Sequence, residues 1–323
     1  MKALVTAPYN EEGLKKLKEY IDTVHYHSWK TNDRAFTPSE LIELLKKEEY
    51  DLFITEHDQV DKGVIDSCPS LKLIGVCRGT PSNVDVAYAE SKNIKVVNTP
   101  GRNAQAVAEM FIGNLITFYR KTIQAHQWLK NKNWEEGAHT SYLEFKGNEL
   151  AGKIVGMVGF GAVGQHIAKL LKAFPAQVIF YDPYYKNANG QFKSVSLEEV
   201  FEQSDIVAIN LPANESTRGM IHKELIDKMR KESVFVNMSR AMVVNTEDLN
   251  SAIQNNRIRG AILDVFDHEP PSAIDYELIN HEDVLATPHI AGATHEVEDH
   301  HVEIMNKQIV NWIKENYERI SNH

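Results

Sequence analysis

The sequence predicts an α/β protein with two domains, each a doubly wound parallel sheet with helices on both faces. Three observations lead to this fold class. Short apolar strands alternate with amphipathic helices between residues 2 and 97, and a second series of the same kind runs from Leu150 to about Pro288. A glycine-rich motif opens the second series. A chain of 323 residues is long enough for each domain to bury its own core.

The first series contains four predicted strands and three predicted helices. The strands begin at Ala3, Leu52, Leu73 and Lys95, and the helices begin near Glu11, after Thr37-Pro38 and near Asp61. The turn residues Asn98-Thr-Pro-Gly101 then end the alternation. A long helix is expected from Ala104 to about Lys130, and its apolar residues cover so much of its circumference that we expect it to be buried, in a core or between subunits.

The glycine motif of the second series reads Gly159-Phe-Gly161-Ala-Val-Gly164. An apolar strand precedes it, a helical pattern follows, and a second strand from Val178 leads to Asp182. The first glycine allows a tight turn, the second lets the backbone approach a pyrophosphate, and the third lets the helix lie close to the strand. We therefore interpret the segment as a dinucleotide-binding βαβ unit, with the pyrophosphate at the helix N-terminus.

Asp182 is expected to select the cofactor. A carboxylate at this point of the unit accepts hydrogen bonds from the ribose hydroxyls and repels a 2′-phosphate, which favours NAD over NADP. The alternative is an acid that simply ends a strand.

Three polar segments follow predicted strands of the second series. They are Asn237-Met-Ser-Arg240, Leu263-Asp264-Val-Phe-Asp-His-Glu269 and Ala286-Thr-Pro-His289-Ile-Ala-Gly292. Ligands of open α/β sheets bind beyond the carboxyl ends of the strands, so the three segments are expected near the nicotinamide. Such a trio suits reversible hydride transfer at a carbon that carries a hydroxyl and a carboxylate.

Each member of the trio has a predicted role. His289 would exchange the hydroxyl proton, Glu269 would orient the imidazole, and Arg240 would hold the substrate carboxylate. Each also has a plainer interpretation: a turn histidine, a loop acid and a surface arginine. The apolar strand before Arg240 favours a buried position for it.

At these segments the chain resembles the D-isomer-specific 2-hydroxyacid dehydrogenases, the family of glycerate, phosphoglycerate, D-lactate and glyoxylate/hydroxypyruvate enzymes. The matching residues are Asn98-Thr-Pro, Val107-Ala-Glu109, Gly159 to Gly164, Asp182, Leu211-Pro212, Ser239-Arg240, Asp264-Val-Phe, Glu269-Pro270 and Pro288-His289. The resemblance implies a Rossmann NAD domain and a flavodoxin-like substrate domain with a cleft between them. It implies the catalytic trio Arg240, Glu269 and His289, and a dimer formed by the long helical arm.

The resemblance also implies which residues bind NAD. Asp264 would hold the nicotinamide amide, and Met238 and Gly292 would approach it by backbone. The remaining cofactor contacts would come from Gly159, Gly161, Ala162, Val163, Gly164, Asp182, Leu211, Pro212 and Ser239.

The chain departs from the family pattern at two places. Ala241 stands where family members usually have glycine, which costs about 1 kcal/mol if that backbone needs a positive φ. The loop of the first domain reads Cys77-Arg78-Gly79-Thr-Pro-Ser-Asn83 instead of the more usual Gly-x-Gly-x-Asp. Arg78 and Gly79 are candidate substrate contacts, although a single loop arginine is commonly solvated. Arg102 is a weaker candidate.

Composition excludes several classes of function. A net charge of −10 argues against nucleic acid, and the absence of an uncharged run of eighteen apolar residues argues against a membrane span. Two cysteines favour a reducing cytoplasmic location. The polar run from His295 to His301 is interpreted as a solvated helix face, and no metal is expected.

The resulting hypothesis is a cytoplasmic, homodimeric, NAD-dependent dehydrogenase of small anionic D-2-hydroxy acids. Hydroxypyruvate, glyoxylate and 3-phosphohydroxypyruvate are the leading 2-oxo acids. Residues 1–97 and 295–323 would form the substrate domain and residues 98–294 the NAD domain. An NAD(H)-sensing regulatory protein on the same fold is the alternative.

Overall fold

The computed structural model describes residues 1–135, 139–185 and 191–318. The chain divides into two compact units: Met1–Asn103 together with Thr294–His323, and Ala104–Ala293.

Every residue between Met1 and Asn103 has a described backbone, and the segment forms one five-stranded parallel sheet with four α-helices. The elements are β1 (Lys2–Val5), α1 (Glu11–Lys18), β2 (Thr23–Tyr26), α2 (Pro38–Leu45), β3 (Leu52–Thr55), α3 (Lys62–Asp66), β4 (Leu73–Val76), α4 (Val86–Ser91) and β5 (Lys95–Asn98), with a short 3-10 turn at Trp29–Asn32. The strand order is β2-β1-β3-β4-β5. The start of α2 is fixed by a capping box of Thr37 and Glu40 around Pro38.

The described part of Ala104–Ala293 forms a seven-stranded parallel sheet with eight α-helices. The elements are α5 (Ala104–Tyr119), α6 (Thr122–Lys130), α7 (Thr140–Glu144), β6 (Ile154–Val158), α8 (Ala162–Leu171), β7 (Gln177–Tyr181), β8 (Lys193–Ser194), α9 (Leu197–Gln203), β9 (Ile206–Ile209), α10 (Lys223–Ile226), β10 (Val234–Asn237), α11 (Thr246–Gln254), β11 (Gly260–Leu263), α12 (Ala273–Ile279) and β12 (Val284–Ala286), with a 3-10 turn at Ala241–Val243. The strand order is β12-β11-β10-β9-β6-β7-β8.

Each face of the second sheet has its own core. Side chains of α5 and α8, such as Phe111 and Ile167, pack on one face with Met157 of β6. Residues of α9 and α11, such as Phe201 and Ile253, pack on the other. Both units are therefore parallel α/β structures, and the predicted fold class is confirmed.

The chain returns to the first unit through its last long helix, α13 (Glu296–Ile313), which ends in a π-helical turn at Lys314–Glu318. Val302, Met305 and Ile309 of α13 are buried in the core of the first sheet. The first unit extends to Asn103, beyond the expected boundary at residue 97. Asn98 belongs to β5, and the Thr99 amide donates to the Arg78 carbonyl (2.8 Å), so the turn after β5 is held by the first unit.

Three strands were not predicted from the sequence. β2 has no fully buried residue, β8 is two exposed residues long, and β12 is only half-buried. Edge strands of this kind lack the apolar run by which a central parallel strand is recognised.

The prediction of a single long helix from Ala104 to Lys130 is wrong, because the structure has two helices there. Lys121 adopts a left-handed conformation (φ 50°) and separates α5 from α6. α5 is buried as expected, whereas α6 has no buried residue, and Ile123 and Leu129 are more than half exposed.

Within the described residues, no helix combines the length and the apolar character needed to cross a membrane.

Gly156 of β6 supplies a test of the packing beneath the glycine motif. A Cβ at this position would lie 2.0 Å from Ser204 Oγ and 2.8 Å from Val200 Cγ1, so we expect Gly156→Ala to cost about 1–3 kcal/mol of unfolding free energy. Gly113→Ala is the control, because its Cβ would meet nothing within 4 Å on helix α5. Urea unfolding followed by circular dichroism measures both, and equal losses would contradict the steric explanation.

Candidate active site

The glycine motif lies between β6 and α8 and requires glycine at two positions for steric reasons. Gly159 has φ 92°, and a Cβ there would lie 2.6 Å from the Asn210 carbonyl oxygen. A Cβ at Gly164 would lie 2.8 Å from the Gly159 carbonyl oxygen. The turn and the close approach of helix to strand therefore both depend on missing side chains.

The start of α8 fits the pyrophosphate of a dinucleotide. Gly161 is its N-cap, and among the described residues no side chain accepts hydrogen bonds from the first turn. A Cβ on Gly161 would meet nothing within 4 Å, so this stretch of backbone is open to a ligand. The amides of Ala162 and Val163 belong to the positive end of the helix dipole, where phosphate oxygens are stabilised.

Asp182 follows β7 and is half-buried. Its carboxylate accepts three backbone hydrogen bonds, from the amides of Phe160 (2.7 Å), Tyr184 (2.8 Å) and Tyr185 (3.0 Å). The bond to Phe160 ties the carboxylate to the glycine motif. Sequence reasoning missed this role, since residue spacing does not show which amides face a carboxylate.

The other predicted residues of this unit lie at the same edge of the sheet. Leu211-Pro212 follow β9, Met238-Ser239-Arg240 follow β10, Asp264 follows β11, and His289 and Gly292 follow β12. Because the strands are parallel and adjacent, their carboxyl ends share one edge. Backbone hydrogen bonds beyond the strands link the Asp264 amide to the Asn237 carbonyl (3.0 Å) and the Thr287 amide to the Leu263 carbonyl (2.9 Å).

Asp264 holds the loop that carries His289. The Asp264 carboxylate is buried and accepts hydrogen bonds from the Thr287 hydroxyl (2.6 Å) and from the amides of Ile290 (3.0 Å) and Ala291 (2.8 Å). These hydrogen bonds hold the residues on both sides of His289 in the sequence, and His289 itself has φ 52°. A non-glycine residue in this region stores about 1–3 kcal/mol of strain, and such strain persists only where the surroundings fix it.

His289 and Glu269 form a hydrogen-bonded pair, with 2.7 Å between His289 Nδ1 and Glu269 Oε2. Since the carboxylate only accepts, Nδ1 carries the hydrogen and Nε2 remains for a further partner. The side chains are 44% and 40% exposed, so the pair contributes little to stability. Glu269 Oε1 also accepts from the Phe266 amide (3.3 Å), which helps to fix the carboxylate.

Arg240 is exposed, and the prediction that it is buried is wrong. The chain leaves the buried strand β10 three residues earlier, and the Arg240 guanidinium donates to the Ser239 carbonyl (2.7 Å). It forms no salt bridge with any described residue. Ala241 begins a short helical turn without a positive φ, so the strain expected from the missing glycine does not occur.

Arg78 and Gly79 belong to the first unit, directly after β4. The Gly79 carbonyl accepts from the Asn98 side-chain amide (2.6 Å), and the Arg78 carbonyl accepts from the Thr99 amide (2.8 Å). Arg78 is partly exposed and Gly79 is exposed. The loop is thus held by the segment that follows β5.

The expectation of a solvated face from His295 to His301 is wrong for His301, which is fully buried. It contacts the Arg102 guanidinium, which also pairs with the buried Glu56 carboxylate. Glu56 has no sequence signal, because an acid after a strand is ordinarily solvated. Among the described residues, no group of three His, Cys, Asp or Glu side chains is arranged to hold a metal ion.

A family model described as "D-isomer specific 2-hydroxyacid dehydrogenase, NAD binding domain" matches residues 112–291, more than half of the chain. The chain belongs to this family. It is therefore an NAD-dependent D-2-hydroxyacid dehydrogenase, and its cofactor is a nicotinamide dinucleotide. The residues matched include the whole glycine motif and the Glu269–His289 pair.

Curated relatives agree with the family assignment. "Putative 2-hydroxyacid dehydrogenase YoaD" of Bacillus subtilis (strain 168) is 55% identical over 97% of this chain and 91% of its own. A hydroxypyruvate reductase of Thermotoga maritima is 36% identical over 76% of this chain and 79% of its own.

A solved structure is similar over almost the whole chain. An acyclic imino acid reductase, Bsp5, in complex with NADPH and D-Arg superimposes with a TM-score of 0.79 and 25% identity. The similarity covers 98% of each chain. The same architecture therefore holds a phosphorylated nicotinamide dinucleotide in that protein.

We expect Asp264→Asn to lower the unfolding free energy by about 1–3 kcal/mol, because an amide nitrogen cannot accept from the loop amides. Asp267→Asn is the matched control, since Asp267 is exposed on the same segment. Denaturant unfolding without cofactor measures both variants. A change of less than about 0.5 kcal/mol in Asp264→Asn, the size typical of surface substitutions, would show that the loop is held by other contacts.

Proposed function

We propose that the enzyme transfers a hydride between NAD(H) and a small D-2-hydroxy acid, with hydroxypyruvate, glyoxylate or 3-phosphohydroxypyruvate as the 2-oxo acid. The hydrogen-bonded Glu269–His289 pair carries the proposal, because it lies at the sheet edge that also carries the glycine motif. The relative named hydroxypyruvate reductase supports this substrate class.

In the direction of reduction, the bound cofactor supplies the hydride that C2 of the 2-oxo acid accepts. His289, with Nε2 directed to the carbonyl oxygen, gives that oxygen a proton, so the product is a 2-hydroxy acid. Glu269 keeps Nδ1 protonated and stabilises the imidazolium before transfer. Arg240 binds the substrate carboxylate through its planar fork of donors, for which its exposed position is suitable.

The cofactor is proposed to lie along the same edge. Gly161, Ala162 and Val163 would hold the pyrophosphate, and Asp182 would accept from the ribose and disfavour a 2′-phosphate, which makes NAD the preferred form. Further contacts are proposed for Gly159, Gly164, Leu211, Pro212, Met238, Ser239, Asp264 and Gly292. Asp264 Oδ2 accepts a single hydrogen bond in the described chain, which leaves acceptor capacity for an amide.

The substrate is proposed to contact the first unit through Arg78 and Gly79. Both follow β4 at the carboxyl edge of the first sheet, where ligands of doubly wound sheets bind. The guanidinium of Arg78 suits a second anionic group on the substrate, such as a phosphate at C3.

The enzyme is further proposed to act as a homodimer. The exposed apolar side chains of α6 and α7, among them Ile123, Leu129, Tyr142 and Leu143, support this proposal. All four are more than half exposed, and apolar residues concentrated on two neighbouring helices are typical of a protein interface.

We expect His289→Ala to lower kcat for reduction of the best 2-oxo acid by about 10²–10⁴-fold, the usual contribution of a general acid. Binding of NADH should change little, because the glycine motif is untouched. Stopped-flow or steady-state oxidation of NADH gives kcat, and fluorescence titration gives the Kd of NADH.

His268→Ala is the control for this prediction. His268 also pairs with a carboxylate, Asp275 Oδ2 at 3.0 Å, and its side chain is 60% exposed. The proposal predicts near-normal kcat for this variant. Turnover retained by His289→Ala, or a wild-type enzyme that reduces no 2-oxo acid with NADH or NADPH, would refute the proposed function.

Arg78→Ala tests the substrate class on a panel of 2-oxo acids. We expect kcat/KM for 3-phosphohydroxypyruvate to fall more than about tenfold, since a hydrogen-bonded charge pair contributes more than 1.4 kcal/mol, and kcat/KM for glyoxylate to change far less. Lys46→Ala removes an exposed cation of the same unit as a control. Equal losses for all substrates would argue against recognition of a C3 anion.

A further inference from the structure

A buried network of a carboxylate, a guanidinium and an imidazole lies at the carboxyl edge of the first sheet. Its members are Glu56 (5% exposed), His301 (0% exposed) and Arg102, whose side chain is 18% exposed. One guanidinium nitrogen, Arg102 Nη1, donates to the Glu56 carboxylate and lies 3.0 Å from His301 Nδ1. The partners are 46 and 199 residues from Arg102 along the chain.

The contacts of His301 define its protonation state. His301 Nε2 lies 2.7 Å from the Pro8 carbonyl oxygen, which only accepts, so Nε2 carries the hydrogen. Nδ1 then accepts from Arg102, and the imidazole must be neutral. A second proton on Nδ1 would set an N–H and a positive charge against the guanidinium.

The burial of His301 favours its neutral form. Burial lowers the pKa of His301 below its ordinary value of 6.5 and outweighs the opposing effects of the Pro8 carbonyl and Glu56. Arg102 after β5 also lowers the pKa of His301, whereas Glu298 on α13 raises it. Further titratable groups around the network are Tyr9 and Cys77, whose own pKa values burial raises well above their ordinary ones, and His57, which lies 3.5 Å from Glu56 Oε2 and whose pKa burial lowers. Burial opposes the charge of Glu56, but Arg102 holds the pKa of Glu56 below its usual value.

The network connects the segments that follow the strands of the first sheet. Pro8 follows β1, Glu56 follows β3, and Arg102 follows β5. After β2, the Trp29 indole donates to Glu56 Oε2 (3.1 Å).

The Arg78–Gly79 loop after β4 is attached through the segment that contains Arg102. The Arg102 amide donates to the Thr99 carbonyl (3.4 Å), and the Thr99 amide donates to the Arg78 carbonyl (2.8 Å). Asn98 holds the Gly79 carbonyl with its side-chain amide. Residues 98–102 are therefore anchored by the network at one end and hold the loop at the other.

We propose that Glu56, Arg102 and His301 are positioning residues that hold the Arg78–Gly79 loop ready for substrate, and that protonation of His301 releases it. The proposal rests on the proposed function in one respect, namely that this loop binds the 2-oxo acid. None of the three residues is required to touch the substrate. Arg102 must move when His301 becomes charged, and residues 98–102 move with it.

The direction of the pH effect follows from the lowered pKa of His301. His301 takes up a proton at a higher pH in the unfolded chain, or after its release from the network, than it does within the network. The stabilisation is therefore complete above pH 6.5 and is lost as the pH falls from 6.5 through the pKa of the folded state.

The test compares His301→Gln and His301→Leu with the wild-type enzyme. Glutamine can accept from Arg102 with its oxygen and donate to Pro8 with its nitrogen, but it does not titrate. His295→Gln is the matched control, because His295 is exposed just before the same helix. KM and kcat for reduction of hydroxypyruvate by NADH are measured from pH 5 to pH 8.

We expect His301→Leu to raise KM about tenfold at pH 7, the effect of removing one hydrogen bond to a charged group, while kcat changes less than about twofold. Wild type and His295→Gln should show a rise in KM below pH 6.5 that His301→Gln lacks. His289 is present in His301→Gln as well, so a rise in KM caused by His289 would persist in that variant.

Hydrogen exchange supplies a measurement that does not depend on activity. The Thr99 amide, which donates to Arg78, should exchange at least about tenfold faster in His301→Leu than in wild type at pH 7, and at the wild-type rate in His301→Gln. Unchanged exchange would overturn the positioning role.

The other outcomes are equally decisive. An unchanged KM in His301→Leu, or a loss confined to kcat, would overturn the link between the network and substrate binding. If KM also rises below pH 6.5 in His301→Gln, the proposed role of His301 protonation is overturned. If wild type reduces no 2-oxo acid, the proposed function fails, whereas the exchange of the Thr99 amide still decides the positioning role.

Discussion

The parallel pairing of the strands is the constraint on which the rest of the structure depends. Every strand pair among the described residues of both sheets is parallel, so the carboxyl ends of neighbouring strands meet at one edge of each sheet. In the second unit this edge collects the glycine motif, Asp182, Asp264 and the Glu269–His289 pair. In the first unit it collects the Arg78–Gly79 loop and the buried network beside it. Side chains far apart in the chain become neighbours without any local signal that brings them together.

Much of the fold and part of the site could be predicted from the sequence, because local rules determine them. Central strands such as β3 and β10 are continuous apolar runs, and parallel central strands must be apolar on both faces. The glycine motif is equally local, since the close approaches at Gly159 and Gly164 forbid a side chain. Arg240, Glu269 and His289 were each predicted to follow a strand, and in the structure each of them does.

Prediction failed where the outcome depends on distant partners or on exposure. Edge strands such as β2 are defined by a neighbouring strand and not by their own composition. Arg240 was expected to be buried by continuity with β10, but the chain reaches the surface within three residues. His301 was interpreted as solvated because its neighbours in sequence are polar. Its burial follows from Pro8 and Arg102, which are 293 and 199 residues away along the chain.

The left-handed backbone of His289 places two demands on one position. With φ 52°, the position favours glycine, and a histidine there is less stable than a glycine by about 1 kcal/mol. The proposed proton transfer needs the imidazole, and Asp264 holds the surrounding loop in the strained conformation. Selection for thermostability alone would therefore tend to remove the residue that selection for turnover retains. An engineered gain in stability is better sought elsewhere in the chain, since relief of strain at this point would be gained at the expense of chemistry.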